Sequence, residues 1–152
     1  YYVISDDPGR KAPPRFYTFK IDLSQSKLTD NGVTPVNVTN LLDTNNQPLL
    51  PNTSDTEGIA LTSKNTIFVS SEADIYNQVN PFIDEFSLAS GQRISSLPIP
   101  DKFLPDRQKK KGIRSNLGFE SLTITPDQKF LFTANENALI QDGKEAKSGV
   151  GT

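Results

Sequence analysis

The sequence contains no cysteine and no histidine. Without cysteine, disulfides, thiolate metal sites and cysteine nucleophiles are excluded within the chain. Without histidine, the commonest general base and the usual transition-metal ligand are missing, and a Ser-His-Asp triad cannot be assembled from these residues alone. Methionine is absent as well. The chain opens directly on a strand-like run, Tyr1 to Ser5, and is expected to be a piece of a longer protein, so its first residues say nothing about where that protein resides. No apolar run approaches the ~20 residues that span a bilayer. Charge is nearly balanced, with 16 basic and 18 acidic residues among 152 and a net of −2. That balance offers no electrostatic reason to expect nucleic acid or an anionic membrane as a partner. Apolar residues make up 34%, which is low for a self-sufficient core.

What is present is a repeat. Thr56-Glu57-Gly58-Ile59-Ala60-Leu61-Thr62 is followed by Ile67-Phe68-Val69-Ser70-Ser71-Glu72. Phe119-Glu120-Ser121-Leu122-Thr123-Ile124-Thr125 is followed in the same way by Leu131-Phe132-Thr133-Ala134-Asn135-Glu136. The two copies differ in length by one residue, inserted in the second turn. A third, partial copy comes first: Tyr2-Val3-Ile4-Ser5-Asp6-Asp7 resembles Phe68-Val69-Ser70-Ser71-Glu72, and Phe19, Ile21 and Leu23 line up with Phe86, Leu88 and Ser90. Apolar residues alternate with polar ones, as in Thr18, Lys20 and Asp22, which is the pattern of a strand with one buried and one wet face.

Strands are therefore expected at 1–5, 16–23, 33–42, 58–62, 66–71, 82–89, 93–99, 121–125 and 129–134. No stretch sustains a helical period. The 11 prolines and 9 glycines suit short strands joined by polar connections. Grouped by fours, the strands form three of one unit, all four of a second and two of a third. Such repeated four-stranded units point to an all-β fold, a fragment of about two to three blades of a β-propeller with antiparallel blades. The expected division is an incomplete blade at 1–42, a full blade at 56–100, an exposed loop at 101–117 and the start of the next blade at 118–140, all within one partial domain, 1–152. Fewer than three blades cannot close a ring, so the remaining blades of the parent protein are expected partners.

Several of these segments resemble one family. Tyr1-Tyr2-Val3-Ile4-Ser5-Asp6-Asp7 with Arg15-Phe16-Tyr17-Thr18-Phe19-Lys20-Ile21-Asp22-Leu23, Asp55-Thr56-Glu57-Gly58-Ile59-Ala60, and Asn116-Leu117-Gly118-Phe119-Glu120-Ser121-Leu122-Thr123 look like the phytase-like, "esterase-like activity of phytase" proteins. The order is colinear over most of residues 1–140. Glu120-Ser121 departs from the usual Glu-Gly. The resemblance implies a β-propeller, an exported bacterial protein of the periplasm or extracellular space, and a phosphoester or ester hydrolase with a small-molecule substrate.

The acids Asp6, Asp7, Glu57, Glu72, Glu120 and Glu136 recur at equivalent points of successive units, where they can converge on a common channel. An oxygen-only cage suits Ca²⁺ rather than zinc or copper, and Ca²⁺ chemistry on a phosphate ester needs neither histidine nor cysteine. Glu57 and Glu120 are the candidate catalytic acids. Arg114, just upstream of the second motif, is a candidate anion-binding residue, and Arg10, Lys11 and Arg15 are further basic residues near Asp6-Asp7. A plainer reading stands beside it: the acids accept backbone N–H bonds and hold blade-to-blade register, in a propeller that binds without catalysing. A serine esterase would need its base from elsewhere in the parent protein. Lys109-Lys110-Lys111 reads as a solvated turn.

Overall fold

The computed structural model describes residues 1–24, 26–106 and 108–147. Arg107 in the polar loop and the end of the tail at 148–152 lie outside the described residues. Among the described residues nine strands form: β1 (Tyr2–Ile4), β2 (Arg15–Ile21), β3 (Val33–Asn40), β4 (Thr56–Leu61), β5 (Thr66–Ser71), β6 (Phe82–Ser87), β7 (Arg93–Ser96), β8 (Phe119–Ile124) and β9 (Leu131–Asn135). One 3₁₀ turn, Asp101–Phe103, is the only helical element among the described residues. No helix there is long and apolar enough to cross a membrane. The all-β expectation is met.

The strands pair antiparallel into three sheets, ordered β1-β2-β3, β4-β5-β6-β7 and β8-β9. Their registers repeat. Tyr2 faces Thr18 as Phe68 faces Glu85, and Thr56 faces Ser71 as Phe119 faces Asn135. Both of the latter pairs are followed by a bulge, at Thr56/Ile59 and at Phe119/Ser121. The β4–β5 and β8–β9 turns each place one residue, Asn65 or Gln128, at positive φ (58° and 62°). Asparagine tolerates that conformation well. The two hairpin tips touch, with the Ser63 N–H donating to Gln128 Oε1 at 2.9 Å. Pro35 lies in β3, an edge strand, where its missing N–H breaks no ladder bond to a further strand.

Packing between sheets is directional. Phe16 of sheet 1, with Tyr2 and Ile4 beside it, meets Ile67, Val69 and Phe86 of sheet 2. On the opposite face of sheet 2, Phe68 and Ile83 meet Phe119, Leu122 and Leu131 of sheet 3. Phe16 is equivalent in register to Ile83, and Tyr2 to Phe68, so each sheet offers the same face to its successor. Fully burying each of these side chains contributes roughly 1.5–3 kcal/mol. A head-to-tail stack of sheets is the arrangement found in part of a β-propeller. Among the described residues nothing covers the two outer faces of the stack. Val3 and Val38, in one cross-strand row with Tyr17, are 46% and 51% exposed, and Phe132, the counterpart of Phe68, is 57% exposed.

Two local expectations change. Phe19 and Ile21 are only half-buried and Leu23 is exposed. They alternate with Phe16 and so belong to the face turned away from sheet 2, whereas their counterpart Phe86 has sheet 1 to pack against. Within 101–117, which its polarity marks as an exposed excursion, residues 108–111 are exposed, but Ile113 is fully buried and the Phe103 ring lies tilted against Phe119, 5.5 Å between centres. Ile113 and Phe103 together pin the loop into the second core, beside Ile83 and Phe119.

Candidate functional site

The bulges of β4 and β8 build the site. An extra residue in the bulge leaves the Gly58 N–H without a ladder partner, and the buried Ser70 Oγ accepts it at 2.9 Å. Ser71 Oγ accepts the Asp55 N–H at 2.8 Å, and the Glu72 N–H donates back to the Asp55 carbonyl at 2.9 Å. These bonds fix Asp55, Glu57 and Glu72 at one end of sheet 2. The Thr56 hydroxyl donates to the Ser5 carbonyl at 2.7 Å, bringing Asp6 from the end of β1 to the same place. In the second unit the Glu136 N–H donates to the Gly118 carbonyl at 2.9 Å, repeating the Glu72–Asp55 bond.

Close approach of β4 and β8 brings Glu120 in. A Cβ on Gly58 would lie 2.7 Å from Leu122 Cβ and 2.6 Å from Ser70 Oγ, closer than packed atoms sit. The glycine thus lets the two inner strands meet, and Glu57 and Glu120, each at a bulge, converge. Ser121 occupies the equivalent place in β8 and is exposed, so no strand among the described residues presses on it and the side chain is tolerated.

Carboxylate oxygens of Glu57, Glu72 and Glu120 lie within 4.8 Å of one another, and those of Asp6, Asp55 and Glu57 form a second such group. Glu57 belongs to both. Glu72 is 2% exposed, and its Oε1 accepts the Gly118 N–H. Desolvation and then the charges of Asp6, Glu120, Glu72 and Asp55 push the Glu57 carboxyl up to about 8. Desolvation also pushes Glu72 up to about 7, with Glu120 and Asp55 adding to it and the Gly118 N–H opposing. Glu120 is raised by desolvation and by Glu136, and Asp55 by desolvation and Asp6, with Arg10 opposing.

A cavity of about 320 Å³ opens beside these acids, lined among others by Arg10, Ser54, Asp55, Glu72, Tyr76 and Asn116. Ser54 Oγ and Asp55 Oδ1 are buried without a hydrogen-bond partner. Neither residue stands out in the repeat, although the period-two spacing of Asp55 and Glu57 is a signal that places them on one strand face.

The remaining acids and bases are distributed differently from the expectation. Asp7 sits outside both carboxylate groups. It accepts the Arg10 N–H at 3.0 Å and the Lys11 N–H at 3.3 Å and pairs with Arg15 at 3.4 Å. Desolvation would raise its carboxyl, but these donors outweigh that and hold it below the usual range. Asp7 organises its loop because its own backbone turns it inward, while Asp6 next to it faces the cluster. Glu136 is exposed and outside both groups. Arg114 does not reach the acids: its Nε donates to the Ala138 carbonyl at 3.0 Å and a terminal nitrogen to the Gly143 carbonyl at 2.6 Å. It fastens the segment after β9 and leaves its neighbours Ser115 and Asn116 at the cavity wall.

The family model described as "Phytase-like: Esterase-like activity of phytase" matches residues 1–151. The chain belongs to this phytase-like family. No curated protein and no solved structure matches it. In this phytase-like chain the all-oxygen donor set fits a hard divalent cation. Three carboxylates held this close raise one another's proton affinity, and a cation in their midst relieves the same repulsion.

Proposed function

We propose that this chain is part of an exported, phytase-like β-propeller hydrolase of the periplasm or extracellular space that acts on phosphoesters or esters of small molecules, with Ca²⁺ held at the acid cluster. The three sheets are read as successive blades whose inner strands, β4 and β8, border the channel. One observation carries the reading: two consecutive repeats deliver Glu57, Glu72 and Glu120 to one place, in a chain with no histidine or cysteine.

Glu57, Glu72 and Glu120 would hold the ion, with Asp6 and Asp55 beside them. Bound there, Ca²⁺ supplies Lewis-acid polarisation of a phosphoryl or carbonyl oxygen and makes a water molecule more acidic. The chain's own residues do the rest. Glu57 and Glu72, pushed up to about 8 and about 7, give up bound protons as the ion enters, which makes affinity rise with pH. Asp55, with one oxygen free of partners, is the acceptor for an O–H group, of water or of substrate, that enters the site. Arg10, in the cavity wall, orients an anionic substrate through its guanidinium.

Titration calorimetry of the full-length protein with Ca²⁺ tests the ion. Binding is expected, and it should be lost in Glu57→Gln with Glu120→Gln; binding that survives both substitutions removes the metal role. Phosphatase, phosphodiesterase and carboxylesterase panels with and without chelator test the chemistry. A second reading rests on the Gly118 N–H bonded to Glu72: the acids are ties between blades in a non-catalytic binding propeller. Turnover of no substrate in any panel favours that reading.

A further inference from the structure

Beyond holding an ion, the cavity has a chemistry of its own. Its wall carries one guanidinium, Arg10, against the carboxylates of Asp55, Glu72 and Asp74. Asp74 is committed to its own turn, accepting the Tyr76 and Asn77 N–H groups at 2.9 and 3.0 Å and the Asn77 amide at 2.6 Å. Arg10 is committed only at Nε, which donates to Asn52 Oδ1 at 3.2 Å. Its two terminal nitrogens have no partner among the described residues and remain free for an anion.

Two further groups lack partners. Ser54 is 3% exposed, lines the cavity, and its Oγ makes no hydrogen bond; Asp55 Oδ1 is likewise buried and unpaired. A buried polar atom left unpaired costs about 1–3 kcal/mol, and a ligand hydroxyl satisfies both kinds, since it donates to the carboxylate and accepts from the serine. At the rim, the ring of Tyr76 is largely exposed. Such a ring offers a flat surface for a hydroxylated carbon ring to lie on. A cavity of about 320 Å³ lies at the small end of ligand sites.

We propose that this cavity selects a small polyol or sugar bearing a single phosphate, and rejects polyphosphorylated rings. One phosphate finds Arg10, and the hydroxyls find Ser54 and Asp55. Each added phosphate meets the carboxylates of Asp55, Glu72 and Asp74 at short range, where repulsion is several-fold stronger than in water. This substrate class rests on the phosphoester reading above, but it is tested separately by binding.

The experiment is calorimetry on the full-length protein in chelator, with glucose 6-phosphate, glycerol 2-phosphate and myo-inositol hexakisphosphate as probes. The monophosphates should bind at least about tenfold more tightly than the hexakisphosphate. Arg10→Ala should weaken glucose 6-phosphate about tenfold, the usual cost of a charged hydrogen-bond donor. Ser54→Ala should weaken it severalfold with the same fold retained by circular dichroism. Equal or tighter binding of the hexakisphosphate overturns the proposal, as does binding of neither class, or an Arg10→Ala affinity equal to wild type. Phosphate release with Ca²⁺ added separates the two readings. Selective binding without release sinks the hydrolase and leaves the cavity's preference standing; release from the hexakisphosphate at equal efficiency does the reverse.

Discussion

Removing the proton from Glu57 should destabilise the ion-free protein, and the size of the effect follows from its surroundings. Its carboxyl is raised from 4.5 to about 8 by desolvation and by four neighbouring carboxylates. A raised pKa in the folded state means the stabilisation is complete below about 4.5 and is lost as pH climbs through about 8. At 1.36 kcal/mol per unit the unscreened shift amounts to about 5 kcal/mol. Glu57 is only half-buried, and solvent screening brings the expected loss to about 2 kcal/mol. Glu72 and Glu120 titrate with it as one coupled set, so their shifts do not add on top. Asp7, Asp22, Asp43, Asp74 and Asp127 are held below the usual range, so their opposite contribution is already complete by mildly acidic pH. Between about pH 5.5 and 8.5 the glutamates therefore decide the slope. Thermal denaturation of the full-length protein in chelator should show the melting temperature falling by about 4–8 °C over that range. Glu57→Gln should remove most of the fall, leaving the variant more stable than wild type at the alkaline end. Saturating Ca²⁺ should flatten the wild-type profile as well. A wild-type melting temperature that rises with pH, or a Glu57→Gln profile parallel to wild type, refutes the mutual repulsion on which the site is built.

Three further substitutions separate scaffold from site. Gly58→Ala puts a methyl group against Leu122 and Ser70, so it should cost about 1–3 kcal/mol through overpacking and weaken Ca²⁺ binding by parting Glu57 from Glu120; unchanged calorimetry would show that β4 and β8 need not approach. Phe86→Ala empties the centre of the first core and should cost about 3–5 kcal/mol by chemical denaturation, with Ca²⁺ affinity kept in the fraction that remains folded. Asp7→Asn removes the partner of Arg15 and of two loop N–H groups; it should lower the melting temperature while leaving Ca²⁺ affinity as in wild type, the opposite of Glu57→Gln.

The alternation of apolar and polar residues in a strand states which side chains share a face, and turn residues state where the chain reverses. Both are local, and both were legible: the nine strands, the two matching hairpins and the register shared by Tyr2 and Phe68 all follow from spacing along the chain. The placement of Glu57, Glu72 and Glu120 at equivalent strand ends is legible for the same reason. Their meeting is not. Distance between residues of different sheets depends on how closely two strands pack, and here that is set by a glycine at one bulge and by Leu122 lying against it.

The residues that sequence reasoning misplaced are those governed by loops or by a neighbouring sheet. Asp6 and Asp7 are adjacent, yet one faces the acid cluster and the other is captured by Arg15, because successive residues point opposite ways and only the folded loop selects which is inward. Arg114 is near Glu120 in sequence but turns to the carbonyls of Ala138 and Gly143. Ile113 looks like a stray apolar residue until it packs beside Ile83 and Phe119, and Ser54 looks like any loop serine until a cavity wall buries it. Local chemistry thus determined strands, repeats and the supply of carboxylates. Tertiary packing alone decided which carboxylates share a field, since electrostatic coupling depends on separation in space and on the water excluded between them.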